Sequence, residues 1–325
     1  MRKTAILILA FLLLLTACGR SLPEETELIV VGLSQVGSES SWRVANSESM
    51  KEALSEKNGY ELIFDDAKNK QENQYKAIRT FIQQGVDYIV LAPTTETGWD
   101  DILAEVKAAG IPVIIVDRKV RVSDDSLYTC WVGSNFMQEG IAAAEWLDSE
   151  LAKNGRQDDE VRILHLQGTL GSTSQLLRTQ GLDNALGFHT NWTVAGRIAC
   201  DYTEAKGYEA TKEFLMADRD IDVIYSENDN MSFGAIRALS EAGLTYGRDG
   251  DVMIISFDSV RSALQECLSG NISLCVECNP LHGPRVAELI QKLETGEALQ
   301  KMTYVEETWF TADRLTQELI DQRPY

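Results

Sequence analysis

The stretch Pro112-Val113-Ile114-Ile115-Val116-Asp117-Arg118 limits the possible folds more than any other. Four β-branched residues in a row, opened by a proline, predict a short strand buried on both faces, the habit of a parallel sheet covered by helices. The run ends in an acid beside a base. In open α/β sheets ligands bind outside the carboxyl ends of the strands, so a charged pair at that point faces the crevice. The plainer alternative is a local salt bridge at a strand end, and the rest of the chain decides between the two.

Around this strand the pattern alternates. Residues 28–33, 60–64 and 88–92 are predicted strands, and 42–57, 71–84 and 99–109 are predicted helices. Asn58-Gly59 and Gly110 supply the helix stops. A second run places strands at 128–132, 161–167, 194–200, 223–226 and 252–257, with helices at 136–154, 173–186, 205–217 and 229–242. A short helix at 261–268, a strand at 272–276, a helix at 284–293 and a weakly patterned tail close the chain. Such alternation predicts an α/β fold with helices on both faces of parallel sheets. Residues 89–117 run strand, polar turn, helix, Ala-Gly, apolar strand, aspartate, and residues 224–258 repeat that order, with Ala242-Gly243 as the helix end and Asp258 as the final acid. The echo predicts two similar doubly wound lobes whose strand ends face one cleft.

The length of 325 residues suits two ordinary domains, and 44% hydrophobic with 25% charged residues is a globular composition. With 30 Lys and Arg against 50 Asp and Glu, the net charge is −20. Such a surface repels phosphate backbones, so nucleic acid is excluded as a partner and an anionic substrate is disfavoured. At the start, Arg2 and Lys3 precede an apolar run over residues 6–15 that is too short to span a bilayer comfortably. It ends Leu15-Thr16-Ala17-Cys18, which resembles the bacterial lipoprotein cleavage box and implies that Cys18 becomes the acylated first residue. Residues 1–18 are therefore read as an export signal and 19–27 as a tether. The expected location is extracytoplasmic, in the periplasm or on the outer face of the cell membrane, with a lipid anchor.

Five further cysteines remain: Cys130, Cys200, Cys267, Cys275 and Cys278. An odd number leaves at least one unpaired within the chain, and a disulfide from Cys267 to Cys275 or Cys278 is expected. A thioredoxin-like reading of Cys275-Val276-Glu277-Cys278 fails, since that chemistry needs the first cysteine at a helix N-terminus. A zinc site with Cys267 and His282 is the other alternative, weakened because Cys267 faces the core of its own helix. No metal and no cofactor are expected. The three histidines share no metal or triad spacing, and His165 inside an apolar strand reads as a core residue. The turn Gly168-Thr169-Leu170-Gly171 lacks the lysine of a phosphate loop and reads as a helix start.

Polar groups gather where the loops after strands fall. Glu39, Trp42 and Arg43 follow the first strand; Asp117 and Arg118 follow the fourth; Arg178, Asn228, Asp258 and Glu277 hold comparable places in the second run. Planar multidentate groups of this kind suit a polyhydroxylated ligand, because a hydroxyl both donates and accepts. Trp42 offers an apolar face for a sugar ring.

These residues also carry a family resemblance. Gly32 through Arg43, Gln71-Glu72-Asn73-Gln74, Val116-Asp117-Arg118, Leu166-Gln167-Gly168-Thr169, Glu227 through Met231 and Phe257-Asp258 resemble the periplasmic sugar-binding proteins of ABC transporters, of the ribose and galactofuranose group. The likeness runs over about residues 28–310, and the Ser-Glu-Ser-x-Trp-Arg stretch points to the furanose-binding branch. It implies that Asp117, Arg118, Arg178, Asn228 and Asp258 hold sugar hydroxyls. Trp42 and Tyr202 stand where the family stacks aromatics, and Glu39, Arg43 and Glu277 stand as branch-specific contacts. It further implies a hinge of three crossings near Val132, Ser259 and Asn279. The first lobe then takes residues 28–131 plus about 279–310, and the second 132–278 plus about 311–325. The implied function is a monomeric, lipid-anchored binding protein that captures a monosaccharide and delivers it to an ABC transporter permease. A sugar sensor for a chemoreceptor or histidine kinase, and an enzyme using Asp117 or Asp258 as base, are the rival readings. A transcription regulator of the same fold is excluded by the export signal in place of a DNA-binding domain.

Overall fold

A computed structural model describes residues 27–325; the export signal, Cys18 and all but the last residue of the tether lie outside the described residues. The first lobe opens with β1 (Ile29–Gln35), α1 (Ser41–Ala53), β2 (Tyr60–Asp66), α2 (Gln71–Gln84), β3 (Tyr88–Leu91), α3 (Asp100–Ala108), β4 (Val113–Val116) and β5 (Cys130–Gly133). The second holds α4 (Phe136–Lys153), β6 (Val161–Gln167), α5 (Thr173–Leu186), β7 (Trp192–Ala199), α6 (Glu204–Ala217), β8 (Val223–Ser226), α7 (Asp229–Ala242), β9 (Met253–Asp258), α8 (Arg261–Leu268) and β10 (Leu274–Glu277). The tail then supplies α9 (Gly283–Glu294), β11 (Met302–Tyr304), β12 (Trp309–Phe310) and α10 (Gln317–Asp321).

The two sheets have matching strand orders, β2-β1-β3-β4-β5-β11 and β7-β6-β8-β9-β10-β12. Both are doubly wound, and in each the order reverses beside the first strand of the lobe, where such sheets open a crevice. All four residues of β4 are fully or almost fully buried, as its β-branched run requires. One core layer packs β4 against α1 and α9, and another packs it against α2 and α3. At about 1.5–3 kcal/mol for each fully buried Val, Ile or Leu, these central strands are what hold each lobe together.

Several boundaries differ from expectation for local reasons. The first helix ends at Ala53 rather than 57, because Asn58 Nδ2 donates to the carbonyls of Glu52 and Ala53, both at 3.0 Å, and closes the helix from outside. The chain does not cross between lobes at Ser259. Glu277 pairs with Asp258 in a parallel register, so β9, α8 and β10 form one crossover unit inside the second lobe. The three crossings lie at 134–135, 278–282 and 305–308, between elements of opposite sheets. Residues 309 and 310, expected in the first lobe, pair antiparallel to β10 instead. Cys130 to Gly133 likewise stay in the first sheet, beyond the expected boundary at 131. The expected disulfide is absent: all five cysteines among the described residues are buried thiols.

The lobes lie against each other. Ser41 N donates to Asn230 Oδ1 at 3.0 Å, Lys119 N to Thr173 Oγ1 at 2.7 Å, and Glu96 N to the carbonyl of Gly171 at 3.0 Å. Within the second lobe α4 and α5 approach closely at Gly140 and Gly181. A Cβ on Gly181 would sit 2.6 Å from the backbone of Gly140, so no larger residue fits without moving α5 and Arg178 with it. Gly181→Val is expected to destabilise the fold by about 1–3 kcal/mol, the ordinary range for overpacking, measured as a lowered urea midpoint at unchanged m-value.

Candidate functional site

The strand ends of both lobes converge on one cavity. Glu39, Ser40, Trp42, Arg43, Asp117 and Arg118 line it from the first lobe; Phe136, Ser174, Arg178, Tyr202, Asn228, Asp258 and Cys278 line it from the second. Nine of the ten residues expected from the sequence border it, all but Glu277.

The first lobe presents a four-membered ion network. Arg43 Nη2 donates to Asp117 Oδ2 at 2.6 Å and Nε to Glu39 Oε1 at 3.3 Å, while its guanidinium lies 4.6 Å from the centre of the Trp42 ring. Arg118 Nη1 donates to the Thr94 carbonyl at 2.8 Å, and Nη2 stands 3.6 Å from Glu39 Oε1. Burial alone pushes the Asp117 carboxyl up, but the charges of Arg43 and Arg118 outweigh it and hold it below its ordinary range. Glu39 Oε2 and Arg118 Nε are buried and make no hydrogen bond among the described residues. A free acceptor and a free donor thus remain on the groups that line the cavity.

The second lobe offers Arg178. Its Nε donates to Glu139 Oε2 at 2.7 Å, Nη1 to the Glu227 carbonyl at 2.5 Å, and Nη2 stands 3.5 Å from Asp258 Oδ1. Its guanidinium also stands 5.3 Å and 4.9 Å from the ring centres of Phe136 and Phe257. Burial pushes the Asp258 carboxyl well above its ordinary range despite Arg178, so this acid can donate as well as accept. Charge therefore balances: Glu39 and Asp117 against Arg43 and Arg118, and Glu139 against Arg178. Tyr202 shares hydrogen bonds with Ser174 at 2.6 Å and Ser172 at 3.3 Å, and its ring covers Gly168, where a Cβ would collide with it at 1.9 Å. Asn228 caps α7 through Met231 N and donates to the Tyr202 carbonyl at 3.1 Å, so it is a brace as well as a lining residue.

The corresponding aspartates share a backbone oddity. Asp117 has φ 62° and Asp258 φ 101°, a region that L-residues avoid at about 1–3 kcal/mol each. Tyr202 is also left-handed, at φ 62°. Three of the positive-φ residues other than glycine thus border the one cavity.

Two lobes of like topology closing on a charge-balanced cavity have known relatives. A model of the periplasmic binding protein domain matches residues 31–297, most of the chain. The chain belongs to the periplasmic binding protein family. Galactofuranose-binding protein YtfQ of Escherichia coli K12 is 36% identical over 295 residues, 90% of each chain. A Mycobacterium smegmatis structure in complex with β-D-fucofuranose superposes with a TM-score of 0.83 at 36% identity, over 88% of this chain and 92% of the other. The binding component of the arabinose ABC transporter of Shewanella sp. ANA-3, bound to α- and β-L-arabinofuranose, gives 0.81 at 38% identity, over 87% and 92%.

In this member of the family Glu277 turns away from the cavity. Its carboxylate takes Arg323 Nη2 and the Tyr325 hydroxyl, each at 2.9 Å, and so ties down the C-terminus. Adjacent residues at a strand end face opposite ways, and it is Cys278 that lines the cavity, with its carbonyl accepting from Trp42 Nε1 at 2.7 Å. Phe136 and Ser174 are lining residues that sequence reasoning passed over; both open helices directly after strand-end turns, which is the only signal they carry. Behind Trp42 sits His282, fully buried, its ring edge-on to the indole at 5.8 Å and Nδ1 3.3 Å from Asn46 Nδ2.

Burial lowers the His282 pKa to about 4, with Asp117 opposing the shift. The unfolded imidazole takes its proton near 6.5, so the neutral ring stabilises the fold above that pH. This stabilisation is lost as pH falls from 6.5 to about 4. At about 1.4 kcal/mol per pKa unit, it is worth about 3 kcal/mol. His282→Gln removes it: urea titrations of variant and wild type across that window should show the variant losing less stability on acidification.

Proposed function

We propose that this chain is an extracytoplasmic solute-binding protein that captures an uncharged monosaccharide in its furanose form and hands it to an ABC transporter permease. The observation that carries the reading is the charge balance of the cavity, together with the free Glu39 Oε2 and Arg118 Nε. A ligand bearing a net charge would leave an uncompensated ion in a dry site, whereas hydroxyl groups can meet carboxylate, guanidinium and neutral acid alike. The furanose preference is supported by the relatives that carry or are named for furanoses. Like the galactofuranose- and arabinose-binding relatives, the chain is a binding protein and not an enzyme. Asp117 accords with that, since a carboxylate clamped at 2.6 Å by Arg43 is a fixed acceptor rather than a base. Anchoring through an acylated Cys18 would keep the protein beside its permease. No helix among the described residues is long and apolar enough to cross a membrane.

Calorimetric titration with methyl furanosides and methyl pyranosides of galactose, arabinose and ribose tests this directly. A furanoside is expected to bind more tightly than its pyranoside partner. At about a hundred times its dissociation constant it should raise the unfolding free energy by about 2.7 kcal/mol. Saturable binding of a uronic acid in preference to every neutral sugar would overturn the reading. Glu39→Gln preserves shape but removes one charged acceptor, and is expected to weaken furanoside binding roughly tenfold, the worth of a charge-assisted hydrogen bond.

A further inference from the structure

The cavity accounts for one side of Arg178. The other side rests on a cluster that ligand contact does not explain. Glu139, in the first turn of α4, accepts from Arg178 with Oε2, yet its Oε1 is buried and has no hydrogen-bond partner among the described residues. The Glu139 side chain is only 4% exposed. Facing it are Cys278 from the second crossing and Glu307 from the third; one ligating atom of each of these three residues lies within 4.8 Å of the others. Glu307 Oε1 accepts from Ser134 Oγ of the first crossing at 2.6 Å and from Asn279 N of the second at 2.7 Å. All three crossings therefore meet at one carboxyl group.

Glu139 is buried and Glu307 half-buried, and ionising two carboxylates this close together is disfavoured. The charged neighbours sharpen the conflict. Among the described residues Arg178 is the one cation paired with Glu139, and it also serves Asp258. The other groups that face the pair are acidic: Asp117 from the end of β4, Asp258 from β9, Glu277 from β10 and the thiol of Cys278. Either a proton or a cation must resolve the excess. A metal ion bound by this trio would need Cys278 as thiolate, and burial drives that thiol well above its ordinary range, while its sulfur already lies 3.3 Å from Ser134 Oγ.

We propose that Glu307 is held as a neutral carboxylic acid that donates its proton to Oε1 of Glu139, making the two a positioning pair for Arg178. The proposal rests on the reading of the cavity as a sugar site and adds a proton to it. With Oε1 satisfied by the Glu307 hydroxyl, Glu139 stays ionised and keeps its Oε2 on Arg178. Burial, and then the charge of Glu139, push the Glu307 pKa up to about 9. The sign follows. The folded state retains a proton that the unfolded chain releases near its ordinary value of 4.5, so the stabilisation is complete in acid and lost as pH rises through about 9. Beyond that point two negative charges face each other at the hinge, Arg178 loses its support, and ligand affinity falls.

The test uses the full chain, its Glu307→Gln and Glu139→Gln variants, and methyl β-D-galactofuranoside and L-arabinose as probes. Glutamine at 307 keeps a donor for Glu139 and cannot ionise. Wild-type affinity is expected to fall as pH rises past the Glu307 pKa, by up to about tenfold per pH unit, the limit for one linked proton. Glu307→Gln should bind within about threefold of wild type at neutral pH and stay flat over the same range, given that the donor is retained. Asp258 contributes its own buried carboxylic-acid stretch, so the reading is the difference spectrum at neutral pH: wild type minus Glu307→Gln should show one carboxylic-acid carbonyl band that belongs to Glu307. In Glu139→Gln it should persist at shifted frequency. That band needs no ligand, so it reports on the proton even if neither probe binds, an outcome that would count against the sugar reading alone. Absence of the band overturns the proposal. So does a stoichiometric, chelator-removable metal in the purified protein, or an alkaline loss of affinity that Glu307→Gln leaves unchanged.

Discussion

Every polar feature of the cleft depends on keeping three guanidinium groups out of water without leaving a charge alone. Arg43, Arg118 and Arg178 are each at most 3% exposed, a burial that is tolerable only with carboxylates and carbonyls at hydrogen-bond distance. The sequence meets that need by placing an acid where a strand ends and an arginine either next to it or one helical turn along. Asp117 and Arg118 are chain neighbours; Glu39 and Arg43 are four apart at the start of α1. Aromatic faces complete the shell, with Trp42, Tyr202, Phe136 and Phe257 set against the flat sides of the three cations. The result is a rigid arrangement of donors and acceptors whose directions are fixed before any ligand arrives.

The backbone contributes to that rigidity. Asp117 and Asp258 occupy equivalent strand ends in two sheets of the same order, and both adopt a conformation that only surrounding contacts can enforce. Those contacts are visible in the second lobe, where Asp229 accepts from Ser256 Oγ at 2.5 Å and from Val260 N at 2.8 Å and so pins the turn that carries Asp258. Two sheets of one strand order thus carry the same physical solution twice.

Much of this was legible in the sequence because it follows from short-range rules. The β-branched run of β4 could be only a doubly covered strand, and the echo between the Asp117 and Asp258 segments exposed the two lobes. What escaped detection depends on facts that periodicity does not encode. Whether Glu277 or Cys278 faces the cleft turns on where β10 stops, and a shift of one residue reverses the answer. The edge strands β11 and β12 are three and two residues long, too short for any pattern to announce. Cys267 and Cys275 donate to different carbonyls, Phe310 and Ala263, an orientation that spacing cannot convey. Glu139 and Glu307 are brought together only by the third crossing, which lies beyond the expected Ser259 position.

The contacts that join the lobes at the mouth of the cleft have a consequence for timing. Ser41 to Asn230, Lys119 to Thr173 and Glu96 to Gly171 are three hydrogen bonds near the surface, each worth about 1 kcal/mol net in competition with water. They are one part of the seal; the other is Trp42 and Arg118 resting on the second lobe's aromatic rings. How long a captured molecule stays is then governed by its own bonds to the arginines and acids within. A partner that pulls the lobes apart must break those surface contacts and also draw Trp42 and Arg118 off Phe136 and Tyr202 of the second lobe before the cargo is exposed.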